Sequence, residues 1–126
     1  SWIRQPVADA LVAILTPIDT AITVYGAPPA TFNPPVYVVW FPTTVQYNLF
    51  GFGTDEVTLP ILCAAGPGEW DRVDAMVNDA KKALDLDPSL RGAVPVGTVT
   101  QQQAWRILSV GGADVLAADL VLEIRM

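Results

Sequence analysis

The sequence predicts one α+β domain spanning residues 1–126: a mixed, mostly antiparallel sheet, two helices packed on one face of it, and a C-terminal β-hairpin. Three observations predict it. An amphipathic stripe runs from about Glu69 to Leu84, β-branched and aromatic runs of strand length lie on both sides of it, and Gly111-Gly112-Ala113-Asp114 separates two such runs near the C-terminus.

The first element is a helix over Pro6–Leu15, where Val7, Leu11, Ile14 and Leu15 recur at the spacing of one apolar face. Pro6 suits a first helical turn, and Thr16-Pro17 is a stop, because the residue before a proline is pushed out of the helical region. Ile22–Tyr25 reads as a short strand and Val36–Phe41, bracketed by Pro35 and Pro42, as a buried one. In Glu56–Ala64, Val57, Leu59, Ile61 and Cys63 share a face, and Pro60, which has no N–H for a ladder, predicts a strand that is at an edge or bulged. Between these strands, Thr43–Asp55 reads as a long loop rich in aromatics and glycines.

After Gly66-Pro67-Gly68 comes the helix of the amphipathic stripe. Its apolar residues are Trp70, Val73, Val77, Ala80 and Leu84, its first turn is acidic, its last turn holds Lys81 and Lys82, and Asp87-Pro88 ends it. Val94–Thr100 alternates weakly as a strand. Ala104–Val110 and Val115–Met126 form the hairpin, with Leu116, Ala118, Leu120, Leu122, Ile124 and Met126 on its core side.

Composition narrows the function. The 126 residues contain no histidine and one cysteine, so the commonest neutral-pH base and metal ligand is missing and no internal disulfide can form. Catalytic residues, cofactors and metals are therefore expected to be none. Only 16% of residues are charged, below the usual share of about 25%. Ten of the twenty charges fall between Glu69 and Arg91 while Thr20–Thr54 has none, so one segment faces water and another is expected to face protein. Five prolines between Pro28 and Pro42 break that charge-free stretch, which excludes a membrane-spanning helix. No signal-peptide pattern opens the sequence, and a cytoplasmic site of synthesis is expected. A net charge of -6 argues against wrapping nucleic acid, although an acidic wall can line a channel through which DNA slides.

The remaining candidates for chemistry are weak. The carboxylates between Glu69 and Asp87 fit the solvated side of a helix, Gly51-Phe52-Gly53 is followed by no lysine, and Cys63 sits in an apolar strand without a base. Trp40, Trp70 and Trp105 fall in elements with a core face, whereas Trp2 stands outside them as an interface anchor. Tyr47, Asn48, Leu49, Phe50 and Phe52 form an uncharged, aromatic loop that is expected to contact a neighbouring subunit or a tube.

The order of elements resembles the tail terminator family of long-tailed phages, also known as tail-completion or minor tail proteins. The likeness covers nearly the whole chain and is carried by pattern: Ile22-Thr23-Val24-Tyr25-Gly26-Ala27-Pro28-Pro29 after the first helix, Val36-Tyr37-Val38-Val39-Trp40, the strand Val57–Cys63 running into Trp70–Leu84, and the ending Leu120-Val121-Leu122-Glu123-Ile124-Arg125. The resemblance implies a structural, non-enzymatic virion protein at the tail–neck junction, a homo-oligomer assembled as a hexameric ring. It also implies contact with the tail tube protein and with a head–neck connector protein, and DNA passing through the lumen. The alternatives are a tube-like subunit of the same fold, or a small ligand-binding or enzymatic domain with a pocket near Trp40 and Trp105.

Overall fold

The computed structural model describes residues 2–47, 55–95, 99–110 and 112–125. In chain order they form α1 (Arg4–Leu15), β1 (Thr23–Tyr25), β2 (Val36–Val39), β3 (Thr44–Gln46), β4 (Glu56–Ala64), α2 (Trp70–Asp85), β5 (Val99–Val110) and β6 (Ala113–Arg125). The six strands make one mixed sheet of order β1-β2-β4-β6-β5, with β3 paired to β4 below the end of β2. Only β1 and β2 run parallel.

Alternation along the strands divides the sheet into two faces. Val57, Leu59, Ile61 and Cys63 of β4, with Ala118, Leu120, Leu122 and Ile124 of β6, belong to one buried cluster that also holds Val7, Leu11 and Leu15 of α1 and Val73, Met76, Val77, Ala80 and Leu84 of α2. Truncating one of these leucines to alanine removes packing worth about 2–5 kcal/mol. Tyr37 links the layers, since its buried hydroxyl donates to the Met76 carbonyl at 2.7 Å. On the opposite face Val36, Val38, Leu62, Ala64 and Ala117 form a smaller cluster against which Tyr25, Phe32, Trp40 and Leu108 pack.

Three elements differ from the sequence expectation. First, Pro60 is not in an edge strand: β4 is flanked by β6 on one side and by β2 and β3 on the other. The irregularity lies in the facing chain. Val39 faces Ile61 and Thr44 faces Thr58, so residues 40–43 lie opposite residues 59 and 60 alone. The Pro60 carbonyl accepts from the Trp40 N–H at 3.0 Å, which turns its donorless nitrogen toward this break in the ladder. Secondly, the stretch read as one loop from Thr43 contains β3, whose Val45 packs against the main core. Thirdly, Val94 belongs to a turn and is buried, and the last two expected strands before the hairpin turn are one: β5 runs unbroken from Val99 to Val110. Val110 faces Ala113, so a two-residue connection joins the pair, with Gly112 at a φ of 83° that a side chain would strain.

The helices start close to their expected positions. α1 begins at Arg4, so Pro6 still lies in the first turn, where its missing N–H has no helical partner to lose. α2 begins at Trp70, and the Glu69 carboxylate before it accepts from the Gly66 N–H at 2.9 Å, fixing the tight turn out of β4. Beyond α2 the chain passes through Leu90 and Arg91, both at positive φ, and the Asp87 carboxylate accepts the Arg91 N–H at 3.1 Å to hold that turn.

Candidate interaction surface

The long hairpin outruns its support. β4 faces β6 only from Ala117 to Arg125, whereas β6 begins at Ala113 and β5 reaches Val110. The far end is thus a two-stranded ribbon. On its helix-side face, Trp105 faces Ala118 of the main core, and Ile107 faces Leu116 one step further out. Trp105 is 45% exposed, Ile107 72% and Leu116 38%.

Trp70, 62% exposed, opens α2 at the same end of the molecule. Asp74, one turn later, accepts a hydrogen bond from the Gln103 side chain at 3.5 Å, which sets the helix start beside the Trp105 side of β5. Together these four residues leave on the order of 400 Å² of apolar surface in water, the size of the largest apolar patch on a typical monomer, which is often functional.

Beside this patch runs the outer edge of β5. It is the last strand of the sheet, twelve residues long, and its only charge is Arg106. That guanidinium lies 3.3 Å from Asp119 and over the Trp40 ring at 5.6 Å, on the face away from the helices. Burial raises the Asp119 carboxyl above its ordinary range, and the nearby Arg106 pulls it only part of the way back.

The opposite edge of the sheet is also poor in charge. Arg4 is the exception and is already engaged: its Nη2 donates to the carbonyls of Gly26 (2.7 Å), Val39 (3.0 Å) and Trp40 (3.2 Å), and its guanidinium lies 4.6 Å from the centre of the Phe41 ring. It pins the start of α1 to the ends of β1 and β2 and sets Phe41 outward, 54% exposed. Tyr47, 62% exposed, and Ile3, 64% exposed, are further large apolar side chains left in water.

The expected interface residues are therefore distributed unevenly. Tyr47 is at the surface, while Asn48, Leu49, Phe50 and Phe52 lie outside the described residues. Trp2 is not a free anchor: it is half-buried against the main core, and its backbone N–H donates to Asp55 at 2.9 Å. Sequence reasoning placed Trp70 and Trp105 in the core and missed the ribbon. A signal was present, because Trp105 shares its strand face with Gln101, Gln103 and Ser109, polar residues that are mostly found at the surface.

The same geometry bears on the ligand-binding alternative. Trp40 belongs to the cluster on one face of the sheet and Trp105 to the other face, so the two cannot line a common pocket. Cys63 is fully buried, and burial pushes its thiol well above the usual range, away from the reactive thiolate. Among the described residues no group of three or more His, Cys, Asp or Glu side chains could hold a metal ion, and no helix is long and apolar enough to cross a membrane.

No protein-family model matches the chain, and no curated protein is significantly similar to it.

Proposed function

We propose that this chain is a structural, non-enzymatic subunit of a ring at the end of a long-tailed phage tail, where it caps the tube, ends tube polymerisation and offers a docking surface to the head. The observation that carries the reading is the β5 edge, unpaired among the described residues, beside the exposed apolar side chains Trp70, Trp105, Ile107 and Leu116. A long edge strand with one charge is a template for uncontrolled pairing unless a partner covers it, and a closed ring covers it without runaway growth. The order of elements adds to this, since it follows the pattern that resembles the tail terminators. The tube protein, the head–neck connector and DNA in the lumen are the partners this role requires, and the net charge of -6 suits a wall past which DNA slides.

Omission of the chain tests the role. Particles assembled without it should carry tails of uncontrolled length that fail to join heads. Tails of normal length joined to heads would refute the proposal, and loss of the tube itself would assign the chain to the tube instead.

A further inference from the structure

The two edges of the sheet are unlike, and they fit each other. On one side β5 offers a continuous edge about 40 Å long, from twelve residues at roughly 3.4 Å each. It has no proline, no lysine and no carboxylate to blunt it, and its one charge is held within the chain by Asp119. On the other side the edge is stepped at two levels along the strands: β3 pairs directly with β4, whereas β1, also three residues long, lies one strand further out beyond β2.

The pairing registers give those levels. Thr44 lies across from Thr58, which faces Glu123, which faces Thr100. Thr23 is level with Val36, Ala64, Ala117 and Arg106. Directions match as well: β1 and β3 run opposite to β4, and β5 runs with it. A second copy, rotated about an axis along the strands, therefore brings its outermost strand β1 alongside β5, antiparallel and at the level of residues 104–106. Resting on the ring reading above, we infer that β5 of one copy pairs with β1 of the next, continuing the sheet across each subunit boundary.

Side chains and charge favour this partner. Trp105 is level with Ala118, Cys63, Tyr37 and Val24, all on the helix-side face. Across the boundary, Trp105 and Ile107 meet the next copy's Val24, with the half-buried Ile14 and Ile18 at the end of α1 nearby. Pairing of β5 with a second β5 is the competing arrangement. It would bring two α2 helices together, because α2 lies beside β5 through the Gln103–Asp74 and Gln101–Asp85 hydrogen bonds, and would crowd these carboxylates. Head-to-tail pairing instead sets α2 beside α1, whose charges, Arg4 and Asp9, cancel. Such a contact is heterologous, as a cyclic ring requires.

Site-directed cross-linking tests the inference. Thr23→Cys and Ala104→Cys are made in separate full-length chains; both positions are exposed, and buried Cys63 stays in place. A short bis-maleimide should join residue 23 to residue 104 in the mixture and leave either variant alone unlinked, as peptide mapping reads directly. Hydrogen exchange provides an independent readout, with β5 amides gaining protection on association. A link between residue 104 of two copies would overturn the inference in favour of the two-fold arrangement. Native mass spectrometry separates the remaining failures: a closed oligomer without the 23–104 link overturns the inference and leaves the ring reading standing. A chain that stays monomeric and unlinked at its highest attainable concentration, with no β5 protection, counts against both.

Discussion

Replacing Trp105 and Ile107 together with serine should separate assembly from folding. In the single chain Trp105 is 45% exposed and Ile107 72%. The pair thus leaves on the order of 250 Å² of apolar surface in water, worth at most about 6 kcal/mol if fully buried at roughly 25 cal/mol per Å². Association costs and imperfect fit reduce this to about 2–4 kcal/mol per interface, a weakening of roughly 30- to 1000-fold in Kd. The fold should lose far less. Ile107 faces Leu116 on the unsupported ribbon, and only the buried half of Trp105 rests on the core, so the expected cost to the monomer is about 1–2 kcal/mol. Sedimentation velocity over a concentration series reads the first quantity and denaturant unfolding the second. Association unchanged, with stability down by about 4 kcal/mol or more, would show that these side chains serve the fold and would refute the reasoning.

Two further predictions concern the fold. Tyr37→Phe deletes the buried hydrogen bond from the hydroxyl to the Met76 carbonyl and should cost about 1–2 kcal/mol, seen as a lower urea midpoint with an unchanged slope; an unchanged midpoint would count against it. Asp119 has its carboxyl raised above the ordinary value of 3.8 by burial, so the unfolded chain loses this proton first and stability falls as pH rises from 3.8 through the higher value of the folded chain. Asp119→Asn should flatten that part of the stability profile, with a change under about 1 kcal/mol at neutral pH because Arg106 is partly solvated; a loss near 3 kcal/mol would mean that the ion pair stabilises the fold.

Much of this architecture was legible in the residues. The α2 stripe, the alternation of β4 and the Gly111-Gly112 connection each carry local signals, and β4 was placed at the bounds it has, Glu56–Ala64. What escaped depends on partners distant in sequence. Pro60 reads as a mark of either an edge or a bulge, and the choice is made only by the break at residues 40–43 of the facing chain. Val99–Val110 reads as two pieces because Gln101, Gln102 and Gln103 interrupt its apolar pattern, and only pairing with β6 makes it one strand. Trp70 and Trp105 have the composition of core residues, and their exposure follows from where α2 starts and β4 stops. Arg4 gave no sign of its role, since its three carbonyl acceptors come together only when α1 lies against the ends of β1 and β2.

The most direct test of the central claim, that this chain closes into a ring at the end of a tail, is cryo-electron microscopy of purified particles with the chain located in the map. The account predicts one closed ring of about six copies where the tail meets the head, with neighbouring sheets joined edge to edge. A helical array of many copies along the tail, or particles in which the chain is absent from the tail, would contradict it.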